Sequence, residues 1–159
     1  MFYRIVHTNN DWAMTIVRLI LGVVFFAHGA QKVLGWFGGY GFQATMGMFT
    51  QKLGIPAPFA FLAIGAAFLG GLGLLLGFLS RIAALGIMTN MLVVIFMIHR
   101  HIGFFMNWAG NQRGEGFEFH LLVLALGVAI VAKGAGAMSI DRLITPSGPV
   151  EERKVLRAA

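Results

Sequence analysis

Long stretches without charge are the feature that most constrains this chain. The run Phe59–Leu79 holds 21 residues and no Asp, Glu, Lys or Arg. About 20 apolar residues are needed for a helix to cross the hydrocarbon core of a bilayer. Three further apolar runs are Trp12–Ala30, Ile82–Ile98 and Phe119–Ala132, and the last can extend over 116–138. The sequence therefore predicts an all-α integral membrane protein, a bundle of four transmembrane helices.

Composition supports a membrane protein and excludes several other classes. Charged residues make up 11% of the chain and hydrophobic residues 58%, whereas a soluble domain carries about 25% charged residues. The basic residues behind the net charge of +6 flank apolar runs, which is typical of membrane proteins rather than of nucleic-acid binders. Because the chain has no cysteine, it cannot supply a disulfide, a thiolate zinc site or a cysteine-ligated iron–sulfur cluster. We expect the lipid bilayer as a partner, and no nucleic acid.

The basic residues also predict an orientation. Four spans would place both termini and the turn at Arg81 on one side, with seven Lys and Arg residues against four on the other side. The positive-inside rule then predicts that both termini are cytoplasmic. Arg18 lies near the cytoplasmic end of the first span, and we interpret it as an anchor that reaches lipid phosphates. Residues 1–144 would form the membrane domain, and 145–159 a mobile cytoplasmic tail.

The loop between the first two spans contains a short helical pattern. Phe42, Met46, Phe49 and Leu53 follow one another at intervals of four, three and four residues. This spacing places the four side chains on one face of a helix. A short amphipathic helix in the outer loop, lying in the membrane interface, fits the pattern.

Small and polar residues inside the spans predict how the helices pack. Gly73 and Gly77 form a pair of small residues four positions apart, which allows two membrane helices to approach closely, within the bundle or between protomers. Asn90 lies in the middle of the third span. We expect its side chain to form an interhelical hydrogen bond.

Polar side chains converge on the side opposite the termini, at the ends of three of the four spans. They are His28, Gln31, Lys32, His99, Glu118 and His120. Polar groups near membrane depth are costly and are often kept for function. These six residues form a candidate quinone site, in which His, Gln and Lys would donate hydrogen bonds to the ring oxygens and Glu118 would relay protons. Phe and Met side chains on the second and third spans would form a slot for the tail.

Two other interpretations of these six residues stay open at this point. A metal site is disfavoured, because Glu118 and His120 are two residues apart and point to nearly opposite faces of a helix. No HxxxH or ExxH spacing is present, and we predict no metal. Alternatively, the polar groups satisfy one another, with Glu118 paired to Lys32 or to a histidine, and have no chemical role.

Several motifs, taken in order, resemble the DoxX family over about residues 12–143. They are RLILG at 18–22, HGAQK at 28–32, GWFGG at 35–39, LGIP at 53–56, FLGGL at 68–72, LGFLSRIAA at 76–84, GFE at 116–118 and GAGAMSID at 134–141. The sequence departs from the family pattern at Ala67, where many members carry Glu.

This resemblance implies a small four-helix protein of the bacterial inner membrane. The family is named after a subunit associated with a terminal quinol oxidase, and a relative is linked to thiosulfate:quinone oxidoreduction. The resemblance therefore implies an accessory or anchoring subunit of a quinone-linked redox system, with redox proteins as partners. Two alternatives are a non-catalytic assembly or chaperone-like membrane protein, and a small-solute carrier that would function as a homo-oligomer.

Overall fold

Helices dominate the computed structural model, which describes residues 2–145. In chain order the elements are α1 (Phe2–Val6), α2 (Trp12–Val33), α3 (Gly41–Gly47), a π-helical turn (Met48–Lys52), α4 (Ala57–Leu76), α5 (Ser80–Met97), a 3₁₀ turn (His99–His101), α6 (Glu118–Lys133) and α7 (Ile140–Leu143). Residues 2–145 contain no strand. The predicted all-α fold is confirmed, and the predicted loop helix is present as α3 with its π-helical turn.

Three helices are long and apolar enough to cross a bilayer: α2, α4 and α5, with 22, 20 and 18 residues. The fourth long helix, α6, has 16 residues and does not extend over the predicted range 116–138. It ends at Lys133 because Gly134 has a φ of 88° and the following residues turn back toward α2. The four long helices pack in a ring, α2 on α4, α4 on α5, α5 on α6 and α6 on α2.

The closest approach between helices joins α2 and α4, and glycines make it possible. A methyl group on Gly71 would overlap the backbone of Phe26, and one on Gly29 would overlap the backbone of Phe68. Small residues allow such backbone contact between membrane helices. Gly77, from the pair identified in the sequence, instead ends α4 with a φ of 66°. A close approach of two helices therefore exists within the bundle, as predicted. It depends on Gly29 and Gly71 rather than on the predicted pair.

Arg18 is buried, and its predicted role as a lipid anchor is wrong. Only 1% of its surface is exposed. Its guanidinium donates to four backbone carbonyls, those of Leu74, Leu75, Ala135 and Met138. The last turn of a helix leaves carbonyl oxygens without partners, and the five N–H donors of arginine can serve several at once. Arg18 therefore joins α2 to the end of α4 and to the segment after α6.

Two more charged residues complete this end of the bundle, which we call the terminal end. Asp141 is 1% exposed and accepts hydrogen bonds from the amides of Leu79 and Ser80, at 2.7 and 2.9 Å. Its carboxylate thus caps the start of α5, where free amides favour a negative charge. Arg81 donates to the carbonyl of Val131 at 2.8 Å and to carbonyls in and just after α1.

The predicted tail, 145–159, lies outside the described residues except for Thr145. This side chain is buried and donates to the carbonyls of Asp141 and Val6, at 2.6 and 3.2 Å. The packed part of the chain therefore reaches at least Thr145.

Replacing Gly71 with alanine is expected to destabilise the protein by about 1–3 kcal/mol, because the new methyl group forces α2 and α4 apart. Thermal unfolding in detergent, followed by circular dichroism, measures the change. Gly65→Ala is the matched control in the same helix, since an added methyl group there meets no atom within 4 Å. Equal melting temperatures for the two variants would contradict this account of the α2–α4 contact.

Removing the guanidinium in Arg18→Ala is expected to lower the free energy of unfolding by at least about 2 kcal/mol, because buried carbonyls lose their donors. Lys133→Ala is the control at the same end, since that side chain is 66% exposed and its ion pair with Asp11 measures 3.9 Å. The same unfolding assay compares the two. If Arg18→Ala melts no lower than Lys133→Ala, the carbonyl contacts do not stabilise the bundle.

Candidate functional site

A cavity of about 630 Å³ lies among the four long helices and the loops opposite the terminal end. We call it the loop-end cavity. Its wall is mostly apolar, with Phe25 from α2, Phe49 from the π-helical turn, and Met91 and Met97 from α5. Polar side chains occupy part of the wall. They are His28, Lys32, Asn90, His99, Trp108, Glu115 and His120. This combination suits a ligand with an apolar tail and a small polar head group.

Four of the six predicted site residues line this cavity: His28, Lys32, His99 and His120. Gln31 and Glu118 do not line it. Gln31 instead bonds His28 and Glu118 bonds Trp108, and both partners belong to the wall. The predicted stripe of the loop helix also contributes, since Phe49 and Leu53 line the cavity. The polar residues that the sequence singles out therefore lie at the end of the bundle where the cavity is.

A chain of hydrogen bonds holds His28 in place on the last turns of α2. Its Nδ1 lies 3.2 Å from Oε1 of Gln31, and Nε2 of Gln31 donates to the carbonyl of Phe37 at 3.2 Å. Lys32 donates from Nζ to the carbonyl of His28 at 3.0 Å. Phe37 adopts a φ of 53°, a conformation that is uncommon for a residue with a side chain. Gln31 thus positions both the imidazole and the loop that follows α2.

The rings of His99 and His120 are in contact although the residues are 21 positions apart in the sequence. Their ring centroids are 4.4 Å apart, with an interplanar angle of 42°. Nδ1 of His99 bonds the carbonyl of Glu115. Nδ1 of His120 is buried and makes no hydrogen bond of ordinary geometry with the described residues, although the carbonyl of Phe117 is near. A buried polar atom of this kind is costly unless a ligand or water satisfies it.

The loop between the 3₁₀ turn and α6 brings these two histidines together. Backbone amides of Gly116, Phe117 and Glu118 donate to carbonyls of residues 103–105 at 2.9–3.2 Å. Oε1 of Glu118 accepts from Nε1 of Trp108 at 3.2 Å, and Oε2 of Glu115 accepts from the amide of Asn107 at 2.7 Å. The two carboxylates therefore hold the loop over the cavity.

Three polar residues of the wall are absent from the set of six: Asn90, Trp108 and Glu115. Asn90 makes the expected interhelical bond, donating from Nδ2 to the carbonyl of Ala63 at 2.8 Å, so that prediction is confirmed. Its place in the middle of α5 gave no sign that it also faces the cavity. Trp108 and Glu115 belong to a loop without periodicity, so no spacing pattern placed them in the wall.

Of the predicted mutual pairing, His28 and Gln31 do bond each other, but a pair between Glu118 and Lys32 or a histidine is not present among residues 2–145. Glu118 bonds Trp108 and not Lys32 or a histidine. Among residues 2–145 the one ion pair joins Lys133 to Asp11, at the terminal end. In the same range, no three His, Asp or Glu side chains are grouped so that they could hold a metal ion. Lys32 therefore keeps an ammonium without a carboxylate partner in the wall of the cavity.

Ala67 lies in the wall of the same cavity and is 4% exposed. This is the position where the family pattern often carries Glu. A carboxylate there would face the cavity, and the alanine leaves that part of the wall apolar.

Comparison with known proteins points to one family. A family model described as DoxX matches residues 13–100. The chain is 28% identical over 135 residues to the inner membrane protein YqjF of Escherichia coli (strain K12). The matched region covers 85% of this chain and 94% of that protein. The chain is 32% identical over 151 residues to the uncharacterized membrane protein Rv3486 of Mycobacterium tuberculosis, covering 89% of this chain and 87% of that protein. No solved structure matches the chain.

Asn90→Ala is expected to lower the free energy of unfolding by about 0.6 kcal/mol, the average for an interhelical hydrogen bond in a membrane protein. Thr89→Ala is the neighbouring control, because the Thr89 hydroxyl is exposed and bonds Leu85 in its own helix. Thermal unfolding in detergent compares the two variants. An equal shift for both would show that the bond from Asn90 to α4 contributes nothing.

Proposed function

The chain belongs to the DoxX family, and from that premise we propose that it is an accessory subunit of a membrane redox system that binds a quinone in the loop-end cavity. The observation that carries the proposal is the cavity itself. It offers about 630 Å³ of mostly apolar space beside His28, Lys32, His99 and His120. A quinone combines an isoprenoid tail with a ring that carries two oxygens, and these match the two parts of the wall.

The residues present fit such a group. Lys32 has an ammonium without a carboxylate partner among the described residues, and ammonium protons can bind a ring oxygen. His120 has a buried nitrogen that lacks a well-formed hydrogen bond. A bound quinone would supply two-electron, two-proton redox chemistry. The protein would bind the head group, orient it and shield the tail from water.

An accessory role agrees with the residues that the chain lacks. Without cysteine it cannot ligate an iron–sulfur cluster. Electrons would therefore pass between the bound quinone and a partner redox protein. We place the protein in the bacterial inner membrane, the location in the name of the relative YqjF. Both termini would be cytoplasmic, because the positive-inside rule assigns the side with the larger number of basic residues in the sequence to the cytoplasm.

Quinone retention tests the proposal. The protein is purified in mild detergent, its lipids are extracted, and bound quinone is measured by mass spectrometry. Binding of decylubiquinone to the purified protein in nanodiscs is measured in parallel. Ala67→Phe places a ring in the cavity wall and is expected to weaken binding at least roughly tenfold, which corresponds to about 1.4 kcal/mol.

The matched control is Ala125→Phe, which adds the same ring to an exposed position of α6 outside the cavity wall. Melting temperatures confirm that both variants fold. The proposal is overturned if the wild-type protein retains no quinone and binds neither decylubiquinone nor its reduced form, or if both variants bind as well as the wild type.

A further inference from the structure

We propose that the loop-end cavity binds the reduced form of its ligand, a quinol, more tightly than the oxidised quinone, because His28 and His99 in its wall are each held as the tautomer whose Nε2 is an acceptor. This inference rests on the proposed function, since it takes a quinone-type ligand as given and assigns its preferred oxidation state. The two forms differ at the ring oxygens. The carbonyl oxygens of a quinone only accept hydrogen bonds, whereas the hydroxyl groups of a quinol also donate.

Neighbouring groups determine which nitrogen of His28 carries the proton. Nε2 of Gln31 donates to the carbonyl of Phe37, so the amide oxygen of Gln31 is the atom that faces Nδ1 of His28. An amide oxygen only accepts, and Nδ1 must therefore be the protonated nitrogen. In the neutral ring this leaves a lone pair on Nε2. The assignment follows from the hydrogen-bond network, as is usual for amides and imidazoles.

The same reasoning applies to His99, which belongs to a different wall of the cavity. Its Nδ1 faces the backbone carbonyl of Glu115, which can only accept. Nδ1 is again protonated, and Nε2 of the neutral ring is again an acceptor. Two histidines from separate elements, α2 and the 3₁₀ turn, thus carry the same tautomer. Two acceptors suit a head group with two hydroxyl groups.

The other polar groups of the wall do not reverse this preference. The single donor of Trp108 is bound to Glu118. Asn90 has both a donor and an acceptor in its amide, and the ammonium of Lys32 can donate to either form of the ligand. His120 has no partner of ordinary geometry that fixes its tautomer, so it can donate or accept. Only His28 and His99 have a tautomer that neighbouring groups fix. Their acceptor nitrogens favour a hydroxyl group on the ligand over a carbonyl oxygen.

Comparing the affinities of the two oxidation states tests the inference. Wild-type protein in nanodiscs is titrated anaerobically at neutral pH with decylubiquinone and with decylubiquinol kept reduced. The dimethyl ether of the quinol, which cannot donate, is a third probe. The quinol is expected to bind roughly fivefold or more tightly than the quinone, because an acceptor that loses its hydrogen bond when the ligand displaces water is costly. The ether should bind no better than the quinone.

Three variants test whether the histidines set the ratio of the two affinities. His28→Phe and His99→Phe keep a ring but remove both nitrogens, and each should bring the ratio closer to one. His101→Phe is the matched control, because His101 is exposed, bonds Arg100 and is not part of the wall. Gln31→Leu tests positioning: it leaves the wall residues in place but no longer fixes the tautomer of His28, so the ratio should fall.

The outcomes separate this inference from the proposed function. If neither decylubiquinone nor decylubiquinol binds the wild-type protein, the proposed function fails. If both bind with equal affinity, or the quinone binds more tightly, the inference fails and the proposed function stands. The inference also fails if the ratio is unchanged in both His28→Phe and His99→Phe while these variants melt like the wild type.

Discussion

One buried guanidinium, that of Arg18, joins α2 to the end of α4 and to the segment that follows α6 at the terminal end. It donates to carbonyls at the end of α4 and to carbonyls in the segment that follows α6. These carbonyls belong to the last turn of α4 and to a turn, where few backbone amides are available, although the carbonyl of Leu74 also accepts from the amide of Gly77. An arginine carries enough donors for all of them. The negative charge of Asp141 attracts and stabilises its positive charge. The terminal end is therefore closed by polar contacts rather than by apolar packing alone.

The two ends of the bundle consequently differ in character. At the terminal end, Arg18, Arg81 and Asp141 bond the backbone and join neighbouring elements of the bundle. At the other end, the polar side chains bond mainly within loops, as Gln31 does with Phe37. Methionine and phenylalanine side chains of the long helices and the loops line the loop-end cavity there. Glycines hold α2 and α4 in contact along their length, so the free volume lies toward α5, α6 and the loops.

The candidate site was predictable in position but not in detail. Hydropathy and topology bring the ends of three spans to one level, which is why His28, His99 and His120 were expected together. Helical spacing does not say whether a side chain near a helix end points inward or bonds its own loop. For that reason Gln31 and Glu118 were expected to contact a ligand, whereas they hold His28 and Trp108. Trp108 and Glu115 lie in an irregular loop, which carries no periodic signal.

The sequence by itself determined the class of protein, the all-helical fold and the end at which polar groups gather. These follow from apolar runs long enough to span a bilayer and from the residues that interrupt them, both of which are local properties. Only the tertiary structure decided the role of Arg18, the tautomers of the cavity histidines and the existence of the cavity. Each depends on contacts between residues far apart in the chain, such as Arg18 with Ala135. Hydropathy records the cost of burying a charge, but not the distant carbonyls that offset it.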